Sequence, residues 1–181
     1  KCDADWLTLI QKKTYLRNDQ LTAVNVKVNK SILKEPGLYT AKISALRDDA
    51  SKTPEFDMLA TVVIPYEFNS SNNYSMNWKD QNVKQGMIKR YFIKIPAGQN
   101  SMKITLSRDA SSNKYSRCRY FLYDNNGIQI DISRVLYSVT KDEKVENYYY
   151  DLEPGIYEVD IDGFFLANDS STYNLGIQFL S

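Results

Sequence analysis

The sequence predicts an all-β protein made of two β-sandwich modules. Three observations support this: 14 Tyr and 7 Phe among 181 residues, runs that alternate apolar and polar side chains, and Pro-Gly or Asn-Gly dipeptides between those runs. Aromatic residues favour the half-buried surface of a strand, and alternation turns one face of a strand toward a core. The dipeptides suit the turns that join such strands. We expect a fibronectin- or immunoglobulin-like sandwich followed by a jelly-roll-like one.

The first predicted module covers residues 1–68. Its strands are expected at 5–9, 22–30, 35–46 and 56–68. Pro65 interrupts or ends the last of these, because proline cannot donate a hydrogen bond to a sheet. A module of this length is short for such a sandwich, so we expect it to lack a strand or two at its N-terminus.

Residues 69–84 are rich in Asn and Ser and poor in aliphatic side chains. This composition predicts a linker between the modules. The alternative is a long loop inside one continuous sandwich.

The second module is predicted at 85–181. Met102, Ile104 and Leu106 alternate along one strand. The final strand places four residues on one face, namely Tyr173, Leu175, Ile177 and Phe179. A hairpin is expected at Asn126-Gly127, because this dipeptide accepts the positive φ values of a tight turn.

The string Glu-Pro-Gly-apolar-Tyr occurs once in each predicted module, at 35–39 and 153–157. Proline presets φ at the second position of a turn and glycine accepts a positive φ at the third, so both strings predict type II turns that lead into strands. The repetition suggests two modules built alike. A convergent turn is the alternative, since Pro-Gly is a common dipeptide.

The sequence excludes several kinds of chemistry. It contains no histidine, and both Ser-His-Asp and Cys-His hydrolases need an imidazole to carry the proton. A net charge of +1 offers no broad attraction for nucleic acid, and no apolar run is long enough for a membrane span. We expect Cys2 and Cys118 to be unpaired thiols. We therefore predict that this stretch of chain is not an enzyme.

Residues with side-chain oxygen atoms near the predicted hairpin are candidate metal ligands. Asp124, Asn126 and Asp131 could offer oxygen atoms to Ca²⁺. The hairpin explains the same residues without a metal, so we predict no cofactor and keep calcium as the alternative. Asp160 and Asp162 are interpreted as the solvated face of a strand.

Two further segments are candidates for an interaction surface. In a strand, Tyr148 and Tyr150 share one face and Tyr149 lies on the other. One face is expected to pack in the core, while the other could contact a partner or stack on a sugar. Lys89 and Arg90 form a basic strand segment, which commonly protects an edge from unwanted pairing.

Several segments resemble known peptidase modules. "PGLYTAKISAL" and "PEFDMLATVVIP" are similar to the fibronectin-like segment that follows the catalytic domain in large subtilisin-type proteases. "QGMIKRYFIKIPAG" resembles the start of the next β-rich module in the tripeptidyl peptidase II family. The matching positions are Gly86, Ile88, Lys89, Arg90, Phe92, Ile93, Ile95, Pro96 and Gly98. "STYNLGIQF" is similar to that module's last strand, whereas "LEPGIYEVDI" resembles equally the jelly-roll domains of secreted bacterial proteases.

The resemblance implies a non-catalytic part of a serine peptidase whose triad lies elsewhere. Such a part would pack on the catalytic domain of the same chain and support a homo-oligomer, and a relative of tripeptidyl peptidase II would be cytoplasmic. The alternative is a carbohydrate- or protein-binding module of a secreted protease. An independent hydrolase is the third hypothesis, which the missing imidazole disfavours.

Overall fold

The computed structural model describes residues 1–11, 13–15, 19–47, 53–108, 116–137, 144–167 and 170–180. Across these ranges the regular structure consists of β-strands and one short 3-10 turn, which confirms the all-β prediction. None of the described residues belong to a helix with the length and apolar character to cross a membrane. The chain divides into two compact units, Lys1–Ile64 and Pro65–Ser181.

The first unit contains two antiparallel strand pairs. The strands are β1 (Leu7–Leu9), β2 (Val26–Val28), β3 (Gly37–Leu46) and β4 (Pro54–Ile64), with β1 paired to β2 and β3 to β4. Its buried core consists of Trp6, Leu7, Leu33, Ala41 and Ile43. The strand predicted over 22–30 is much shorter in the structure, where β2 covers only Val26–Val28. The fibronectin-like assignment stays a prediction.

The second unit is a β-sandwich. Its strands are β5 (Tyr66–Glu67), β6 (Ser75–Val83), β7 (Ile88–Lys94), β8 (Ser101–Ser107), β9 (Arg117–Tyr123), β10 (Gln129–Ile132), β11 (Leu136–Tyr137), β12 (Lys144–Tyr149), β13 (Ile156–Gly163) and β14 (Ser171–Leu180). One sheet has the order β10-β9-β13-β7-β5, with β11 also on β9, and the other has the order β12-β8-β14-β6. The chain passes repeatedly between the two sheets, and the jelly-roll-like assignment stays a prediction.

The core of the second unit lies between the two sheets. Met102, Ile104 and Leu106 of β8 are fully buried there, facing Tyr120 and Leu122 of β9 among others. The predicted apolar face of β14 packs into the same core. The alternation found in these strands is thus the alternation of core and outer face.

The predicted linker at 69–84 is wrong. A capped 3-10 turn occupies Ser70–Asn72, and β6 follows and pairs along its length with β14. Trp78 pairs with Leu175, and both pack against the core. The strand escaped prediction because its outward positions are polar.

The predicted end of the first module at residue 68 also shifts, because Phe68 packs in the core of the second unit, 5.1 Å from the ring of Phe179.

The glycines of the two repeated Pro-Gly strings have the same φ, which is not the φ of the predicted turn. Gly37 and Gly155 each have a φ of 155°, whereas a type II turn needs about 80°. At Gly155 an added Cβ would lie 2.5 Å from the Cβ of Asn125, whose amide donates to the carbonyl of Pro154 at 3.1 Å. The predicted Asn-Gly hairpin is confirmed, with Gly127 at a φ of 78° between β9 and β10.

A buried pair of tyrosines offers a test of the sandwich core. The hydroxyls of Tyr91 and Tyr173 are 2.9 Å apart, and burial raises the pKa of Tyr91 to about 12. We expect Tyr173→Phe to lower the free energy of unfolding by about 1–3 kcal/mol, since it leaves a buried hydroxyl unpaired. The double variant Tyr91→Phe/Tyr173→Phe should lose less than the two single losses combined. Urea unfolding of all four proteins measures this, and strictly additive losses would contradict it.

Candidate interaction surface

The outward face of the β12-β8-β14-β6 sheet carries a polar groove of about 310 Å³. It crosses β8, β14 and β6 on the side opposite the core. Its lining includes Asn77, Lys79, Lys103, Thr105, Asn174, Gly176 and Gln178. The groove arises because the inward positions of these strands hold the apolar side chains, which leaves amide, hydroxyl and ammonium groups outside.

Gly176 lies at the centre of the groove. It pairs with Asn77 on β6 and with Thr105 on β8. A Cβ at this position would lie 2.8 Å from Oδ1 of Asn77 and 3.7 Å from the Cβ of Thr105. The glycine therefore leaves space for the Asn77 amide to extend across the strand.

The polar groups of the groove form neighbouring rows. Lys103 is the cross-strand partner of Tyr148 on one side and of Gln178 on the other. Asn174 accepts a hydrogen bond at Oδ1 from the backbone N–H of Asp80 at 2.8 Å, which fixes the orientation of its amide. Several hydrogen-bonding groups consequently face the same stretch of solvent.

The strand next to the groove on the β8 side is β12, which pairs with β8. The hydroxyl of Tyr148 donates to Oε1 of Glu146 at 3.1 Å, and Thr105 donates to the other carboxylate oxygen at 3.4 Å. The hydrogen bond from Tyr148, together with the charge of Lys144, lowers the pKa of Glu146. Tyr148 is 48% exposed, so its ring is available to a ligand.

The other two predicted tyrosines have different environments. The hydroxyl of Tyr149 donates to Oδ2 of Asp131 and lies 2.6 Å from the hydroxyl of Tyr120. Asn147 donates to the same Asp131 oxygen at 3.2 Å. Tyr149 therefore connects β12 to β10, whereas Tyr150 lies beyond the end of the strand and is exposed.

The candidate calcium ligands are already engaged in protein hydrogen bonds. Oδ1 of Asp124 accepts from the backbone N–H groups of Asn126 and Ile128, at 2.9 and 2.8 Å. Oδ1 of Asp131 accepts from the backbone of Ile132 at 2.8 Å. In the part of the chain that the structure describes, no three His, Cys, Asp or Glu side chains are grouped to hold a metal.

Lys89 and Arg90, the basic residues of β7, lie on opposite faces of their strand. Lys89 donates to Oε1 of Gln81 at 2.6 Å, and burial lowers its pKa. Arg90 forms an ion pair with Glu158 at 3.3 Å on the outer face of the other sheet. The structure thus does not bring Arg90 and Tyr148 together, and the five predicted interaction residues do not form one surface.

The predicted solvated face of β13 is wrong at Asp160. This residue is 4% exposed, and its Oδ1 has no hydrogen-bond partner among the described residues. Burial, followed by the neighbouring Glu158, raises the pKa of Asp160 to about 7. Asp162, two residues on, forms an ion pair with Arg119 at 3.1 Å.

The cysteines are free, as predicted. Cys118 is fully buried, and burial raises its pKa to about 12. The hydroxyl of Ser116 lies 3.9 Å from its sulfur. A nucleophilic cysteine requires an accessible thiolate, so Cys118 has the environment of a structural thiol.

A second cleft, of about 530 Å³, lies beside the turn at 96–98 and the start of β13. The charged side chains that line it, Glu67 and Lys94, form an ion pair with each other at 3.0 Å. The remaining lining comes mainly from proline, alanine and glycine, which offers a ligand few specific polar contacts.

Comparison with known proteins relates the chain to peptidases. No protein-family model matches it. A segment of 64 residues, 35% of this chain, is 38% identical to pyrolysin of Pyrococcus furiosus. The crystal structure of tripeptidyl peptidase 2 (TPP II) superposes over 99% of the chain, with a TM-score of 0.73 and 17% sequence identity. The chain therefore has the fold of a β-sandwich region of tripeptidyl peptidase 2, and part of its sequence is similar to a second peptidase.

The chain spans 4% of the length of pyrolysin and 16% of the tripeptidyl peptidase 2 chain. It is therefore similar to only a small part of each of these longer proteins. The resemblance predicted from the "GMIKRYFIKIPAG" segment and its neighbours is confirmed.

Sequence reasoning did not single out the groove of this region. A signal was present, because β8 and β14 place Lys103, Thr105, Asn174 and Gln178 at alternate polar positions. Only the apolar half of that alternation was interpreted. Which polar rows become neighbours depends on strand order and register, and neither can be deduced from alternation within single strands.

Proposed function

We propose that this region is a non-catalytic structural module of a subtilisin-like serine peptidase, which packs on the catalytic domain of its own chain. The observation that carries the proposal is the match of 99% of this chain to 16% of tripeptidyl peptidase 2. The pyrolysin segment adds sequence similarity to a second protease. A chain without histidine supplies no triad, so its contribution is structural.

The outer face of the β10-β9-β13-β7-β5 sheet suits such packing. Ile88 and Ile132 are 49% and 45% exposed on it, and Phe121 lies beside Ile132 across the strands. Ion pairs Arg90–Glu158 and Arg119–Asp162 share this face. Contacts between domains of one chain typically combine apolar and polar groups in this way. We assign this face to contact with the catalytic domain. Contacts between copies of the chain, which would form a homo-oligomer, are expected in the full-length protein.

We expect the purified 181-residue region to release no product from a fluorogenic tripeptide substrate, because it has no histidine to serve as the base of a serine-peptidase triad. The full-length parent protein, assayed beside it, should cleave the substrate. Peptidase activity that co-purifies with the region through two chromatographic steps would contradict the proposal.

The packing face is tested separately in the full-length protein. The Ile88→Asp/Ile132→Asp variant should lower the temperature at which peptidase activity is lost, because it places charges in an apolar contact. Tyr150→Asp, at an exposed apolar position outside this face, is the control and should leave that temperature unchanged. Equal behaviour of the two variants would argue against this face, and light scattering of both reports on assembly.

A further inference from the structure

We propose that the groove on the β12-β8-β14-β6 sheet is a binding site for a neutral oligosaccharide. This inference goes beyond a structural role and does not depend on it. The groove volume of about 310 Å³ lies at the lower end of the range of ligand sites, which suits a few sugar rings lying along the sheet.

The lining has the chemistry that recognises hydroxyl groups. A side-chain amide both donates and accepts, and a sugar hydroxyl needs a partner of each kind. Within the described part of the chain, the amides of Asn77 and Gln178 make no hydrogen bond to other protein groups. Asn77 Oδ1 lies over Gly176, 2.8 Å from the position of a Cβ there, and Gln178 lines the same groove. The groove therefore carries donors and acceptors that the protein itself does not use.

The charge at the groove favours a neutral ligand. Lys79 and Lys103 contribute positive charge to the lining. Glu146 on the neighbouring strand β12 carries the opposite charge, and Lys103 is among the charges that act on this carboxylate. Its charge partly offsets the positive field over the groove, which leaves hydrogen bonding as the main basis for selecting a ligand.

Tyr148, the cross-strand partner of Lys103, adds an apolar surface beside the groove. Its ring is about half exposed, and its hydroxyl is held by Glu146 at 3.1 Å. A ligand site typically combines aromatic surface with a few well-placed polar groups. The ring of Tyr148 and the row from Lys103 to Gln178 lie on adjacent strands, so one chain of sugars can contact both.

An extended peptide is disfavoured by the position of the groove. β8 and β14 each have paired strands on both sides, so their backbone groups cannot accept an added strand. The outward positions of these strands also form no apolar pocket that could anchor a side chain. A polar ligand that binds through side chains is therefore the better match.

The test is an NMR titration of the ¹⁵N-labelled 181-residue chain with four neutral hexasaccharides: cellohexaose, maltohexaose, xylohexaose and chitohexaose. We expect at least one to shift the side-chain amide signals of Asn77 and Gln178 and the backbone signal of Gly176. Asn77→Ala and Gln178→Ala should each weaken that binding about tenfold, the effect of losing one or two hydrogen bonds. Asn126→Ala, an amide in the β9–β10 hairpin, should leave it unchanged.

Three outcomes would overturn the proposal. The first is no shift from any of the four sugars at millimolar concentration. The second is a shift pattern that maps away from the groove. The third is displacement of the shifts by a tryptic digest of casein, which would make the site a peptide site. Because the two alanine variants lie on different strands, misfolding of one still leaves the other as a test, and dispersed backbone spectra identify which variants are folded.

Discussion

Gly163→Ala is expected to destabilise the second unit by about 3 kcal/mol or more. An added Cβ would lie 2.1 Å from the carbonyl oxygen of Lys84 and 3.3 Å from a methyl group of Val83. Two backbone hydrogen bonds fix this approach, from Gly86 to the Gly163 carbonyl at 2.7 Å and from Gly163 to the Met87 carbonyl at 3.0 Å. The clash is with backbone, so it can be relieved only by breaking those bonds or shifting β13.

Gly176→Ala is the matched control for this prediction. Its Cβ would also be too close to a neighbour, at 2.8 Å, but that neighbour is the side-chain oxygen of Asn77. A side chain can rotate away, so we expect a loss of about 1 kcal/mol or less. Urea unfolding in a Trp6→Phe background follows the second unit alone, because Trp78 is then the only tryptophan. Equal losses for the two alanine variants would contradict the argument.

The second large effect is expected at Asp160, where Asp160→Asn should increase the free energy of unfolding by about 2 kcal/mol at pH 8. In the folded protein burial raises the pKa of this carboxyl from 3.8 to about 7. The unfolded chain therefore releases its proton near pH 4 and the folded chain near pH 7. Between these values the folded state binds more protons, so stability falls as pH rises.

The asparagine variant removes this pH dependence because it has no proton to lose. Its advantage over the parent protein should be greatest at pH 8 and absent at pH 4, where Asp160 is neutral in the folded state. The expected gain is smaller than the full pKa shift implies, since the ionised carboxylate retains some attraction to Arg90. Urea unfolding at several pH values between 4 and 8 measures the difference.

Asp162→Asn is the control for Asp160→Asn. Asp162 lies on the same strand and pairs with Arg119 at 3.1 Å, so its replacement should lower stability at pH 8 by about 1 kcal/mol. The two substitutions are thus expected to change the free energy of unfolding at pH 8 in opposite directions. If both asparagine variants were destabilised at pH 8, the burial of an ionised Asp160 could not be the dominant effect.

Several features could be predicted from the sequence because they depend on short-range physics. The apolar faces of β8 and β14 follow from alternation, which forces every second side chain to the same side of a strand. The β9–β10 hairpin follows from the conformational freedom of Gly127, whose φ is 78°. The absence of histidine excludes whole classes of catalysis whatever the fold.

Other features could not be predicted because they depend on which strands become neighbours. β6 looks like a linker until Trp78 is placed opposite Leu175 of β14. Asp160 has the pattern of a solvated position, yet the register places it between Arg90 on β7 and Phe121 on β9, and it is buried. The groove at Gly176 likewise exists only once β6, β14 and β8 lie side by side.

The sequence by itself determined the all-β class, the alternation of core and outer positions, and the absence of an imidazole-dependent active site, because these follow from residue type and local backbone preference. Only the tertiary structure decided that 75–83 is a strand, that the predicted interaction residues lie on different faces, and that a polar groove surrounds Gly176. These depend on strand order and register, which are set by long-range packing between residues far apart in the chain.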